Sequence, residues 1–146
     1  MNRTLLLKPL AVITAVLFLS GCGAANHHSE GGSYKASQAV RAAYSQIGTK
    51  YKSGGASPSQ GFDCSGLVRW TYKSVGINLP RTAREQSLMG YRIMDVSKMR
   101  AGDIVAFRRS GGGYHTGIYI GDGRFIHAPR TNSRVRVESC DSAFFR

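Results

Sequence analysis

The hydrophobic pattern of this 146-residue chain changes period once, at Gly90, and that change decides the fold class. Before it, Ala36, Ala39, Val40, Ala43, Tyr44 and Ile47 recur at helical spacing with Gly48 as a stop, so 33–47 reads as an amphipathic helix. Cys64, Leu67, Val68, Thr71, Tyr72 and Val75 repeat the pattern up to Gly76, with Asp63 at the N-cap position. Thr82 and Glu85 stand in capping-box spacing at the start of a short third helix. The stretch "GTKYKSGGASPSQG" between the first two helices reads as a loop. After Gly90 the period is two, which predicts strands at 91–96, 103–107, 115–120, 124–128 and 134–138, parted by Gly- and Pro-bearing turns. Helices first and strands afterwards, without internal repeats, give an α+β domain with N-terminal helices packed on an antiparallel β-sheet.

Residues 1–22 follow another rule. Arg3 and Lys8 flank the start of an apolar run from Leu10 to Leu19, too short to span a bilayer, which closes on Ser20, Gly21 and Cys22. This is the form of an export signal. Its ending resembles the lipobox of bacterial lipoproteins, and the resemblance implies cleavage before Cys22, acylation of that residue, and a membrane attachment through the lipid. Gly23 in place of an Asp implies the outer membrane, facing the periplasm, if the cell is Gram-negative. The expected organisation is a signal peptide over 1–21, a lipidated Cys22 and Gly-rich tether over 22–32, and one domain over 33–146, long enough to hold its own core. His27 and His28 fall in the tether. A zinc site wants three or four ligands and no third lies near, so they read as solvated linker.

Charge limits the partners. Twenty Lys and Arg against eight acids give +12 at pH 7, and losing Arg3 and Lys8 with the signal leaves +10. A basic exported domain suits acidic polymers such as cell wall or anionic lipid. Nucleic acid is not expected, because the sequence holds no basic helix or basic strand interleaved with aromatics.

With Cys22 acylated, Cys64 and Cys140 are the remaining thiols in an oxidising compartment. They either form a disulfide or leave Cys64 free as a nucleophile. A thiol in the first turn of a helix meets the positive end of the dipole and unpaired N–H groups, which is expected to lower its pKa. Amide cleavage also needs an imidazole to protonate the leaving amine and donors for the oxyanion. His115 in "HTGIYIG" and His127 in "RFIHA" are the candidates. A three-residue hairpin loop, Gly121-Asp122-Gly123, places His127 opposite Gly117 and diagonal to His115 on one face; a two-residue Asp122-Gly123 loop would place the imidazoles on opposite faces. The three-residue loop is expected, with His115 as acid/base and His127 orienting it. A zinc site built from Cys64, His115 and His127 is the competing use of the same residues.

Six segments in order resemble the NlpC/p60 cell-wall peptidases. "YKSGG" is similar to that family's Tyr-x-x-Gly-Gly, "FDCSGLV" to its Asp-Cys-Ser-Gly core, and "LPRTAREQ" to its Leu-Pro-Arg-x-x-x-x-Gln segment. "AGDIVAF" and "HTGIYIG" resemble its two strand motifs, and "FIHA" the motif of its third residue. The resemblance covers 33–146 and implies a circularly permuted papain-like fold. It makes Cys64 the nucleophile, His115 the base, His127 the polar third residue and Tyr51 an aid at the oxyanion. Asp63 and Ser65 match positions on the substrate side, although Asp63 fits a plain N-cap equally, and Arg81 fits either a carboxylate-binding or a packed surface role. The implied substrate is the stem peptide of peptidoglycan, cut between D-glutamate and diaminopimelate or at the diaminopimelate–D-alanine crosslink. No metal or cofactor is implied, and a monomer is expected. An amidase or acyltransferase of the same clan, or a wall-binding lipoprotein without activity, are the alternatives. Two departures stand out. "DSAFFR" ends where relatives usually continue for another strand's worth of residues, and Cys140 occupies an aliphatic position, where it is expected to pack as a small apolar residue.

Overall fold

Asp63 starts the helix that organises the molecule. Its backbone is extended and its Oδ1 accepts the N–H of Gly66 at 2.7 Å, so the helix begins at Cys64, as the N-cap position predicts. In this computed structural model residues 27–109 and 111–141 are described. The expected signal peptide, Cys22 and the start of the tether lie outside the described residues, as do 142–146. The elements are α1 (His27–Tyr44), β1 (Ala56–Ser57), β2 (Gly61–Phe62), α2 (Cys64–Lys73) and α3 (Ala83–Gln86), followed by a 3-10 turn (Val96–Lys98). Four strands complete the chain: β3 (Ile104–Arg108), β4 (Tyr114–Gly121), β5 (Arg124–His127) and β6 (Arg136–Ser139).

The last four strands form one antiparallel sheet in the order β3-β4-β5-β6, and β1 and β2 make a separate short ribbon. The helices pack against β4, α2 most extensively. Leu67 and Val68 of α2, Ala43 of α1, Phe62, and Ile118, Ile126, Ala128 and Val135 from the sheet region form the buried core. Burying a Leu- or Phe-sized side chain is worth about 1.5–3 kcal/mol, so this cluster supplies much of what holds α2 to the sheet. Tyr72 adds a fixed point by donating its hydroxyl to the carbonyl of Gly102. The result is an α+β fold with helices on an antiparallel sheet. Among the described residues no helix is long and apolar enough to cross a membrane.

Four expectations need correction. The first helix begins at His27, inside the segment read as a tether, and ends at Tyr44. The added residues 27–32, His-His-Ser-Glu-Gly-Gly, carry no aliphatic or aromatic hydrophobic side chain, so no apolar spacing could announce that part of the helix, and Ile47 lies beyond its end, 44% exposed. The strand expected at 91–96 does not form: its residues are all exposed, pair with no strand, and run into the 3-10 turn capped by Asp95. Alternation without a partner strand makes no ladder. The loop after Gly48 contains the β1–β2 ribbon, too short to carry a period.

The fourth correction concerns the hairpin that sets the site. Gly121 pairs with Arg124 across a two-residue turn, in which Asp122 and Gly123 both have positive φ (52° and 66°), as a type I′ turn requires. The expected loop was longer by one residue. A bulge between Tyr119 and Gly121 then absorbs one residue, so that Tyr119 faces Phe125 and Ile118 faces Ile126. The register at the histidines is therefore the expected one, reached by a different device.

Candidate active site

The first turn of α2 places Cys64 against β4, where the backbone N–H groups of Thr116 and Ser65 act on its sulfur in the direction that favours thiolate. Thr116 directly follows His115. On the sheet, His115 Nε2 lies 2.8 Å from His127 Nδ1, with the two ring planes near perpendicular, so the imidazoles share one face and touch. Both are buried, at 1% and 0% exposure, and each lies against an aromatic ring: Phe107 5.1 Å from His115 and Phe125 4.7 Å from His127, centroid to centroid. The pleat alternation that carried the hairpin argument brings His115 and His127 together, and Cys64 stands at the α2 N-terminus near Thr116, the next residue of β4.

Electrostatics differ from the expectation in one respect. Burial pushes the Cys64 thiol up, and the Asp63 carboxylate adds to that, against the N–H groups of Thr116 and Ser65 and the more distant Arg109. A helix N-terminus alone would lower it. Here desolvation wins, and the resting form is the thiol. Burial likewise holds His115 down at about 3, helped by His127 and Arg109, and His127 at about 4, where Glu138 opposes it. Near neutral pH the site therefore rests as thiol and neutral imidazoles, the state in which His115 can accept a proton. Tyr51 is half-buried, and burial, with Cys64 and Asp63 nearby, raises its phenol, so it remains a proton donor beside the thiol.

Asp63 is occupied on both oxygens. Oδ1 takes the N–H of Gly66 and Arg81 Nη1 at 3.1 Å, and Oδ2 takes the N–H of Gly54 at 3.0 Å and Arg81 Nη2 at 2.7 Å. Arg81 Nη1 also reaches Ser65 Oγ at 3.0 Å. The N-cap reading of Asp63 is thus realised, and Arg81 is tied to it, with 36% of its side chain still open to solvent. Cys64 and Cys140 are both free thiols, so the disulfide weighed from the sequence does not form. Cys140 is half-buried at the end of β6, and its N–H donates to the Gly123 carbonyl at 2.7 Å.

Three residues of the site were not singled out from the sequence. Gln86, 2% exposed, donates to the carbonyls of Ser65 (3.0 Å) and Pro80 (2.9 Å) and accepts from Thr116 Oγ1 (3.0 Å), joining the first turn of α2 to the strand bearing His115. Glu138 Oε2 lies 2.8 Å from His127 Nε2 and also takes the Arg136 guanidinium. Arg109 is half-buried, donates to the Pro129 carbonyl at 2.8 Å, and acts electrostatically on Cys64, Tyr51 and both histidines. The Gln in "LPRTAREQ" was the only one of the three with a sequence signal.

The sequence of residues 48–146 matches the model of the NlpC/P60 family. The chain belongs to the NlpC/P60 family. It is 42% identical over 109 residues to murein DD-endopeptidase MepH of Escherichia coli K12, covering 69% of this chain and 39% of that protein. Over 100 residues it is 41% identical to murein DD-endopeptidase MepS/murein LD-carboxypeptidase of the same organism, covering 68% and 52%. The crystal structure of the NlpC/p60 domain of the peptidoglycan hydrolase SagA superposes with a TM-score of 0.65 at 41% identity, covering 71% of this chain and 88% of that one. The chain thus spans about two fifths to half the length of these two curated relatives.

Proposed function

We propose that this chain is a lipid-anchored cysteine endopeptidase of peptidoglycan, with Cys64 as nucleophile, His115 as acid/base and His127 as the orienting third residue. One observation carries it: the 2.8 Å contact between two buried imidazoles, one of them on the strand residue next to Thr116, whose N–H acts on the Cys64 thiol. In the proposed reaction His115 takes the thiol proton as sulfur attacks the scissile carbonyl. The Tyr51 phenol and backbone N–H groups at the start of α2 hold the oxyanion. The imidazolium, acidic because its surroundings disfavour charge, then protonates the leaving amine, and water releases the acyl group from sulfur.

Peptidoglycan as substrate is supported by the naming of MepH, MepS and SagA and by the surplus of basic side chains, which suits an acidic polymer. The bonds proposed are D-glutamate–diaminopimelate or the diaminopimelate–D-alanine crosslink. Arg81, pinned by Asp63 and Ser65 yet one third open, is the member of that trio a substrate carboxylate can reach. The organisation proposed is a signal over 1–21, a lipidated Cys22, a linking segment, and a monomeric catalytic domain at the outer membrane facing the periplasm. The test is digestion of purified sacculi by the unsubstituted protein and by Cys64→Ala, with the released fragments weighed by mass spectrometry. Peptide cleavage only with the intact thiol supports the proposal. Release of whole stem peptides from sugar points to an amidase, and identical profiles with both proteins refute thiol-dependent hydrolysis.

A further inference from the structure

Among the described residues, His127 meets two hydrogen-bond neighbours of unequal character. Its Nε2 faces Glu138 Oε2 and its Nδ1 faces His115 Nε2, each at 2.8 Å. An ionised carboxylate can only accept, so the bond to Glu138 puts the His127 proton on Nε2. His127 Nδ1 is then a lone pair, and His115 must donate to it from Nε2. That leaves the lone pair of His115 on Nδ1. One carboxylate thereby settles two tautomers in series.

We propose that Glu138 is the positioning residue of this site, fixing the tautomers of both His127 and His115 so that His115 presents Nδ1 as the base for the Cys64 thiol. The proposal rests on the catalytic reading given above. Its geometry comes from the sheet: β6 pairs with β5 so that Glu138 stands opposite Phe125, and Arg136 opposite His127. Arg136 holds the carboxylate in place, with Nε at 3.2 Å and Nη2 at 2.9 Å from the same oxygen that His127 meets. Burial alone would favour the protonated acid, but the bonds from Arg136 and His127 outweigh it and keep Glu138 ionised. With the acceptor removed, the reverse chain becomes available: His127 donates from Nδ1, His115 accepts at Nε2, and the His115 proton moves to Nδ1, where it blocks proton transfer from sulfur.

The experiment records histidine ring nitrogen resonances in the full chain for the unsubstituted protein, Glu138→Met and Glu138→Gln. Met keeps length and volume without an acceptor; Gln keeps a carbonyl that accepts from Nε2. Expected are Nε2–H tautomers for both histidines in the unsubstituted and Gln proteins, and mixed or inverted tautomers with Met. With Met, kcat on the peptidoglycan substrate should fall roughly tenfold to a thousandfold, the direction of other wrong-tautomer triads, while KM stays within about twofold. If Met does not fold, Glu138→Ala takes its place. Unchanged tautomers in a folded variant lacking an acceptor overturn the proposal. Shifted tautomers with unchanged kcat overturn its catalytic part. The resonances need no substrate, so a failure of the catalytic reading shows separately, as identical sacculus fragment profiles from the unsubstituted protein and Cys64→Ala.

Discussion

Gly117 and His127 meet across β4 and β5 with no room for a side chain between them: a Cβ on Gly117 would lie 3.1 Å from His127 Cβ, 2.6 Å from Phe125 Cδ2 and 2.8 Å from the Ile126 carbonyl oxygen. The backbone oxygen cannot yield as a flexible side-chain end can. Gly117→Ala is therefore expected to cost about 1–3 kcal/mol of stability through overpacking, and to lower activity further by displacing His127. Denaturant titration and turnover of the same preparation check both effects.

The buried histidines couple stability to pH. Their folded pKa values, about 3 for His115 and about 4 for His127, lie below the ordinary 6.5, so below pH 6.5 the unfolded chain binds protons that the folded one refuses. Stability is full above pH 6.5 and should decline as pH falls toward 3. Glu138, held below its usual value, is expected to add to the loss at the acid end. Thermal unfolding from pH 7.5 to 4 should show the midpoint falling, less steeply in His115→Gln.

The thiol makes a separable statement. Because burial raises Cys64 above its ordinary 9, alkylation by iodoacetamide should keep accelerating through pH 9. A plateau reached below pH 7 would mean a preformed thiolate–imidazolium pair instead.

Asp63 and Arg81 should differ in cost. Asp63→Ala removes a helix cap and strands the N–H groups of Gly54 and Gly66, so a loss of about 2 kcal/mol is expected. Arg81→Met removes a partner that is one third exposed, and should cost no more than about 1 kcal/mol. Chemical denaturation of the two variants measures the difference.

What the sequence could disclose follows from the range of each interaction. Asp63 and Cys64 were legible because a cap acts within one turn, and Thr82 and Glu85 for the same reason: both halves of their capping box form. The pairing of His115 with His127 needed only parity across one hairpin, although the parity comes from a bulge that no residue pattern announced. Gln86 and Glu138 were opaque in role. Gln86 bridges Ser65 and Thr116, 21 and 30 residues away, and Glu138 finds His127 only through the β5–β6 register. The alternation at 91–96 misled because a strand needs a neighbour, which a single segment does not encode.

Cleavage of a purified, crosslinked muropeptide dimer by the unsubstituted protein, Cys64→Ala and His115→Ala is the most direct measurement. The dimer should be converted to smaller peptides by the unsubstituted protein alone, with both variants reduced by at least about a thousandfold. Conversion by Cys64→Ala at an undiminished rate would contradict the assignment of Cys64 as the nucleophile.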